Sequence, residues 1–293
     1  MRALVMSNCS YPAYTAYMQK MFPSWDVRGV FLPQAATWVA EKHPAFLEFV
    51  DQIDVFIGMT GEEPLNSLVK PGVQRVLLPY FVYQGYHPDT IWLHGVPSPL
   101  QNGVLHSPIA ASAFLLGKST AEARALFNPA HFERLGYFDK LAADRARVIA
   151  MFAETAGLEI ADLFAEWSQQ GNFMHTPNHP KPPVFFDIIH AGMLRAGFGD
   201  QMDMDLMRQT RAALDDDLGR GVLWPMYPDL AARAGLAQGN YDWRTPEPAG
   251  GIRFGLDDML ARSWEIYSKH SARRGHMIAL LGGMEKVTAY GEM

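Results

Sequence analysis

The first 80 residues alternate between short apolar runs and segments with helical spacing, and this alternation constrains the fold more than any other feature of the chain. The runs typical of buried strands occupy residues 2–7, 26–32, 54–59 and 74–78. The helical segments between them lie at residues 11–22, from about 37 to 50, and near 62–69. Strands separated by helices pair in parallel, so the sequence predicts an α/β fold with a Rossmann-like parallel sheet covered by helices.

The chain changes character after Pro79. Residues 80–106 are rich in Tyr, His, Pro and Gly, which predicts an ordered loop region. Helical patterns then dominate, at residues 107–116, 119–127, 139–168, 182–196, 205–218 and about 256–270. Since no internal repeat or low-complexity linker is present, we expect a sheet domain over residues 1–106 and a mainly helical part over residues 107–293 that completes the site.

Composition narrows the classes of function. The formal net charge is −6, so neither nucleic acid nor an anionic membrane is an expected partner. Cys9 is the only cysteine, which excludes a disulfide within the chain and leaves a cysteine-based zinc site without further thiolates. The N-terminus turns polar at Ser7 and no run of about 20 apolar residues follows, so we expect no signal peptide, no membrane span and a cytoplasmic location.

Cys9 follows the first predicted strand, in the turn Ser7-Asn8-Cys9-Ser10 that leads into a helix. Ligands of open parallel sheets bind at the carboxyl ends of the strands. The positive end of a helix dipole favours the thiolate, which is the nucleophilic form of cysteine. This placement suits covalent chemistry, although a small buried cysteine without function has the same sequence signature. No Gly-x-Gly-x-x-Gly pattern follows the strand, so a dinucleotide fingerprint is absent.

Two further clusters carry titratable groups. Residues 85–89 read Gly-Tyr-His-Pro-Asp, where His87 near an acid forms a titratable pair and where Tyr86 and His87 serve equally well as structural caps. Ser107 ahead of Pro108 is a well-formed helix start. This start explains Ser107 without any function but does not explain the neighbouring His106, which therefore stays a candidate.

The densest polar run lies at residues 173–181, where His175, Asn178 and His179 are held by two prolines. Histidine exchanges protons readily near neutral pH. Two histidines at this spacing are also compatible with a metal, but carboxylate or cysteine companions are missing nearby, so we expect no metal site. Lys118 is a candidate phosphate contact, although such a lysine is more often a solvated surface charge.

Several of these pieces together resemble the WcbI-type polysaccharide biosynthesis family, over about residues 1–200. In chain order they are Ser7-Asn8-Cys9, residues 85–89, His106-Ser107 with the alanine-rich helix after it, Leu135-Gly136-Tyr137, and Thr176-Pro177-Asn178-His179-Pro180. The Trp-Pro-Met-Tyr-Pro run at residues 224–228 is similar to a family feature as well. The resemblance implies a coenzyme A-dependent acetyltransferase of capsule assembly that acts on a sugar hydroxyl. Ser10 departs from the Gln expected there in many relatives.

Acyl transfer to a hydroxyl needs a base for that hydroxyl and donors for the developing oxyanion. Our leading hypothesis assigns His179 as the base, with His106 as the other candidate, and Asn8 with backbone N–H groups of the Cys9 turn as the donors. Cys9 either takes the acyl group or lies against the thioester of acetyl-coenzyme A. The residues expected to contact the coenzyme are Asn8, Ser10, Tyr86, His87, Ser107, Lys118 and Asn178.

Two other hypotheses account for the same residues. The same site used with water would make an esterase-type hydrolase, in which Cys9, or Ser7 or Ser10 beside it, is the nucleophile. The third hypothesis is a non-catalytic protein that binds a carbohydrate or a nucleotide. The Trp, Tyr and Pro residues at 222–248 are the sequence feature that best supports it.

Overall fold

The computed structural model describes residues 1–101 and 103–292. The strands are β1 (Arg2–Ser7), β2 (Asp26–Phe31), β3 (Val55–Met59), β4 (Gln74–Leu78), β5 (Ile91–Trp92), β6 (Leu105–His106), β7 (Met174–Thr176), β8 (His179–Pro180), β9 (Trp243–Arg244) and β10 (Arg253–Phe254). The helices are α1 (Tyr11–Met21), α2 (Leu32–Ala40), α3 (Pro44–Asp51), α4 (Glu63–Asn66), α5 (Pro108–Leu115), α6 (Thr120–Ala125), α7 (Pro129–Arg134), α8 (Tyr137–Ala156), α9 (Ala161–Gln169), α10 (Pro182–Arg195), α11 (Met204–Ala212), α12 (Pro228–Arg233), α13 (Leu256–Lys269), α14 (Arg274–Leu280) and α15 (Met284–Gly291). Among these described helices, none combines the length and the apolar composition that crossing a lipid bilayer requires.

These elements form two compact units. The first comprises residues 1–81, 147–173 and 179–218, and the second comprises residues 82–146, 174–178 and 219–293. This division differs from the expected boundary between residues 106 and 107, because the chain leaves the first unit and returns to it twice. Sequence patterns locate individual helices and strands, but they do not indicate which compact unit each segment joins.

The first unit is built on a parallel sheet with the strand order β2-β1-β3-β4. In the central strand β1, Ala3 is paired with Val27 of β2 on one side and with Val55 of β3 on the other. Strand order therefore reverses at β1, and the carboxyl ends of β1 and β3 mark the place where ligands bind in sheets of this kind. The predicted α/β class with an N-terminal parallel sheet is confirmed, and all four predicted strands are present.

Helices of the first unit cover both faces of this sheet. Alternate residues of a strand point to opposite faces, and Leu4 and Met6 of β1 join a buried core with residues of α2, α3 and α4. On the other face, α10 approaches β4 closely at Gly192. A Cβ atom there would lie 2.9 Å from Val76 Cγ1 and 3.1 Å from Leu78 Cδ2. A larger residue at Gly192 would therefore push α10 away from the sheet.

Two predicted helices are each broken into two. The segment expected as one helix from about residue 37 to 50 forms α2 and α3, because Lys42 adopts a positive φ of 54° and the His43 side chain caps the new start by accepting from Phe46 N. The segment at 139–168 forms α8 and α9. Gly157, with a φ of 61°, follows the last residue of α8, as is common where a helix ends.

The second unit is mainly helical and contains two short antiparallel pairs, β5 with β6 and β9 with β10. Helix α5 packs against α13 and α15. Its many small residues allow a close approach, since a Cβ on Gly291 of α15 would lie 3.1 Å from the backbone of Ser112. One apolar core cluster of this unit comprises Leu93, Val96, Ala111, Leu115, Tyr267, Met277, Leu281 and Val287.

Candidate active site

Cys9 and His179 are in contact within the first unit, although they are 170 residues apart in sequence. Cys9 lies in the turn between β1 and α1, and His179 begins β8. Cys9 Sγ is 3.1 Å from His179 Nε2, and Cys9 is partly exposed. The two residues therefore form a thiol–imidazole pair, in which a nucleophile and its base lie within hydrogen-bond reach.

Local backbone features hold both partners in place. The turn that carries Cys9 is short, and Tyr11 N at the start of α1 donates to Asn8 O over 3.0 Å. On the other side, Pro180 restricts the backbone after His179. Lys181 N donates to Phe173 O over 2.8 Å, which ties the His179 segment to the end of the preceding loop.

The side chain of Asn8, next to Cys9, is held by its neighbours. Asn8 Oδ1 lies 3.0 Å from Ser10 N and 2.6 Å from Ser10 Oγ. Ser7 Oγ is 3.4 Å from the same oxygen. Ser10 was expected to contact the coenzyme, but it is only 4% exposed and its hydroxyl is directed to Asn8. Asn8 itself is partly exposed beside the thiol.

Burial determines the resting charge of the thiol. It raises the pKa of Cys9 above its ordinary value, and the backbone amide of Cys9 lowers this pKa by a smaller amount. The helix start was expected to favour the thiolate, but loss of hydration is the larger effect. The resting thiol is therefore neutral, and a base must remove its proton before the sulfur becomes a good nucleophile.

We expect the alkylation of Cys9 by iodoacetamide to accelerate with pH and to reach half of its maximal rate above pH 9.0, the ordinary thiol value. Because Cys9 is the only cysteine, the incorporated label reports on this thiol alone, and Cys9→Ser supplies the blank. A rate that is already maximal at neutral pH would instead reveal a stable ion pair with His179 and contradict the neutral resting state.

Asp89, the acid of the cluster at residues 85–89, is the centre of a buried network in the second unit. It has no exposed surface. Its carboxylate accepts from Ser107 Oγ at 2.6 Å and from two phenols, Tyr137 at 2.9 Å and Tyr227 at 2.8 Å. Ile109 N adds a fourth contact at 3.3 Å. Burial raises the pKa of Asp89 to about 6, and these four donors oppose the rise.

His87 and His106 are buried in the second unit, with exposed fractions of 1% and 0%. His106 Nδ1 lies 3.0 Å from Tyr267 OH, and its Nε2 lies 3.3 Å from Val96 O. Burial lowers the pKa of His106 to about 4 and that of His87 to about 3, so both rings are neutral at neutral pH. Since both ring nitrogens of His106 contact core groups, we do not propose it as the catalytic base.

The other residues expected to contact the coenzyme differ in exposure. Tyr86 is 3% exposed, and Ser107 is 1% exposed and serves as the N-cap of α5. Lys118 and Asn178 are partly exposed, and Asn178 Oδ1 accepts from Thr176 Oγ1 over 3.1 Å. Tyr86 and Ser107 therefore belong to the core of the second unit, whereas Lys118 and Asn178 retain surface that a ligand can reach.

The two histidines of residues 173–181 lie in different units. His175 belongs to the second unit, where its backbone oxygen accepts from Trp224 N over 2.9 Å. In the part of the chain that the structure describes, no group of three or more His, Cys, Asp or Glu side chains is placed to hold a metal ion. The expected absence of a metal remains a prediction.

Sequence reasoning assigned no role to Tyr137 and Tyr227, although both lie in runs that carry the family resemblance. The sequence did offer one indication: a tyrosine within an apolar run is expected to be buried, and a buried tyrosine hydroxyl needs a hydrogen-bond partner. The aromatic residues at 222–248 were considered as a ligand surface. Trp224, Tyr227 and Trp243 are instead 2%, 1% and 0% exposed, so they form core.

The fold and the site define an α/β protein with a cysteine–histidine pair after the first strand of a Rossmann-like sheet. A family model described as polysaccharide biosynthesis enzyme WcbI matches residues 2–201. The chain therefore belongs to the WcbI family of polysaccharide biosynthesis enzymes, which confirms the resemblance found in the sequence.

A solved structure of WcbI, described as a novel polysaccharide biosynthesis enzyme, has a similar fold. The match covers 99% of this chain and 97% of that chain, with a TM-score of 0.68 and 16% sequence identity. That structure is described as the native protein without the disulfide bond between coenzyme A and one of its cysteines. At this identity the similarity shows the fold alone. No curated protein matches the chain.

Proposed function

We propose that the chain transfers an acyl group, acetyl in the simplest case, from coenzyme A to a sugar hydroxyl in polysaccharide biosynthesis. The observation that carries this proposal is the 3.1 Å contact between Cys9 Sγ and His179 Nε2. Family membership supports the carbohydrate acceptor. The solved WcbI structure supports the donor, since a disulfide between coenzyme A and a cysteine requires the coenzyme thiol to reach that cysteine.

In the first step, Cys9 becomes acylated. Its neutral thiol needs a base, and His179 Nε2 is within reach to accept the proton. As the proton leaves, Sγ attacks the carbonyl carbon of the thioester and forms a new sulfur–carbon bond. The carbon–sulfur bond to the coenzyme then breaks, and the departing thiolate takes the proton from His179.

In the second step, the acyl group passes from Cys9 to the acceptor. The sugar hydroxyl gives its proton to the same nitrogen of His179 and attacks the acyl carbon. The bond between this carbon and Sγ breaks, and the sulfur recovers the proton. One histidine thus serves as base and then as acid in both half-reactions, as in other enzymes with an acylated nucleophile.

Each half-reaction passes through a negatively charged oxygen, which needs hydrogen-bond donors. The amino group of the Asn8 side chain and the backbone N–H of Cys9 are our proposed donors, because Ser10 N and Tyr11 N already donate to Asn8. Asn8 is suited to this role because it precedes the nucleophile directly and is partly exposed. Asn178, which directly precedes His179 in the chain and is partly exposed, is proposed to contact the coenzyme.

The two alternative functions have weaker support. A serine esterase needs an accessible hydroxyl, but Ser7 and Ser10 are 1% and 4% exposed. A non-catalytic aromatic binding surface needs several exposed rings, but Trp224, Tyr227 and Trp243 are buried and only Tyr241 of the rings at 222–248 is partly exposed. Transfer of the acyl group from Cys9 to water remains an outcome that a product assay with and without a sugar acceptor will distinguish.

We expect coenzyme A to stabilise the protein by about 2.7 kcal/mol at a concentration 100 times its dissociation constant. Thermal unfolding followed with increasing coenzyme A, under reducing conditions that prevent a mixed disulfide, measures this effect. Cys9→Ser is the matched control and should retain most of the stabilisation, because the greater part of the coenzyme lies outside contact with one thiol. Absence of a shift with both coenzyme A and acetyl-coenzyme A would contradict the proposed donor.

A further inference from the structure

The side-chain amide of Asn8 has one defined orientation, because a backbone N–H determines it. Ser10 N lies 3.0 Å from Asn8 Oδ1, and a backbone amide can only donate. The atom that it contacts must be the oxygen, since an exchanged amide would place two donors against each other. The Asn8 amino group therefore points away from Ser10 N.

The hydroxyl of Ser10 stabilises this orientation instead of capping the helix that follows. Ser10 occupies the N-cap position of α1, where a serine oxygen commonly accepts from the first N–H groups of the helix. Here it makes no side-chain cap bond. Ser10 Oγ instead donates to Asn8 Oδ1 over 2.6 Å, and the residue is only 4% exposed. Helix α1 therefore lacks a side-chain N-cap, and the Ser10 hydroxyl is hydrogen-bonded to Asn8 instead.

The remaining contacts of Asn8 act in the same direction. Ser7 Oγ lies 3.4 Å from Asn8 Oδ1 and 3.2 Å from Met59 Sδ, so it adds a weaker contact to the same oxygen. The hydrogen bonds of the described residues use only the oxygen end of this amide. The amino end has no hydrogen-bond partner among the described residues, and Asn8, which directly precedes the nucleophile in the chain, is partly exposed.

We propose that Ser10 is a positioning residue for the reaction, which acts by holding the Asn8 amino group as a ready donor for the oxyanion. This inference rests on the proposed function, because it needs an oxyanion to form at Cys9. A donor that is already aligned requires no rearrangement as charge develops, and this is why fixed donors stabilise transition states effectively. Ser10 itself touches no substrate and affects the rate only through Asn8.

A double-mutant cycle tests this dependence, using wild type, Ser10→Ala, Asn8→Ala and the double variant in acyl transfer from acetyl-coenzyme A. We expect Asn8→Ala to lower kcat by about 10²–10³-fold and Ser10→Ala by about tenfold, with KM for acetyl-coenzyme A little changed. The double variant should be no slower than Asn8→Ala alone, because the serine has nothing left to position. Ser10→Thr keeps the hydroxyl and should recover most of the rate.

Ser67→Ala is the matched control, since Ser67 is exposed in the same unit and its hydroxyl donates to Pro64 O over 2.9 Å. It should keep wild-type kcat. A Ser10→Ala variant as fast as wild type, with an unchanged melting temperature, would overturn the inference. Losses that multiply in the double variant would overturn it too, because Ser10 would then act independently of Asn8.

A wild-type protein without any acyl transfer would refute the proposed function instead, and the positioning can then be tested directly. The side-chain amide of Asn8 gives a pair of signals in ¹H–¹⁵N spectra, assigned by their loss in Asn8→Ala. We expect Ser10→Ala to shift this pair and to bring the two signals toward rapid exchange with water, while Ser67→Ala leaves them in place. Unchanged signals in Ser10→Ala would overturn the inference whatever the activity.

Discussion

Cys9→Ala is expected to lower kcat for acyl transfer by about a thousandfold or more, the scale on which loss of a nucleophile acts in related mechanisms. The reason is that alanine leaves no atom to accept the acyl group, while His179 still faces the site. Steady-state release of coenzyme A in the presence of a sugar acceptor measures the rate. Intact-protein mass after mixing with acetyl-coenzyme A alone should show one acetyl group on the wild type and none on Cys9→Ala.

His179→Ala is the companion variant and should slow both acylation and transfer. The double variant should be little slower than either single variant, because the two residues act as one unit. Both single variants should keep the thermal shift with coenzyme A, which separates loss of chemistry from loss of binding. If Cys9→Ala retained activity, His179 would activate the sugar hydroxyl directly and Cys9 would only line the site.

Asp89→Ala is expected to unfold the second unit at room temperature. The substitution leaves four buried donors without a partner, from Ser107, Ile109, Tyr137 and Tyr227. At about 1–3 kcal/mol for each unsatisfied group, and with a cavity in addition, the loss is comparable with the whole stability of a domain, about 5–15 kcal/mol. Urea unfolding followed by circular dichroism and by tryptophan fluorescence measures it.

Asp257→Ala is the matched control for Asp89→Ala. Asp257 pairs with Arg124 on the surface of the same unit, where its side chain is 74% exposed, so we expect a loss of less than about 1 kcal/mol. Similar losses in the two variants would contradict the role of Asp89 as the centre of the network.

Asp89→Asn tests the same network through the pH dependence of the free energy of unfolding. Folding raises the pKa of Asp89 from 3.8 to about 6, so the protonated carboxyl is the form that the folded state favours. Its contribution to stability is present below the unfolded value and is lost as the pH rises through about 6. Wild type should therefore lose about 3 kcal/mol across this range from this group, and Asp89→Asn should lack that slope.

The strands of the sheet were predictable because they are local. The strands predicted at 2–7 and 74–78 have the bounds that the structure shows, since each contains apolar residues that are buried in the sheet and is followed by a polar turn or a proline. Helices were less accurate wherever one backbone angle interrupts an apolar pattern. The break at Lys42 is an example: a lysine does not signal a positive φ, although Pro44 at the start of α3 marks a helix boundary in the sequence.

The sequence predicted which residue types form the candidate site, but only partly which individual residues belong to it. A cysteine after the first strand and a histidine between prolines were visible in the sequence, and so was the family to which they belong. His106 was the second candidate for the base, after His179. The structure separates the two, because His106 contacts Tyr267 and Val96 inside the core.

The sequence by itself determined the α/β class, the positions of the four parallel strands, the family, and the turn that carries Cys9, because each of these depends on short-range pattern. Tertiary structure decided that His179 meets Cys9 across 170 residues, that Asp89 holds the core of the second unit rather than titrating with His87, and that the chain returns to its first unit twice. These facts depend on which distant surfaces pack together. No single segment determines which distant surface it will pack against. The free energy gained by burial and hydrogen bonding depends on both surfaces, so it cannot be inferred from one segment alone.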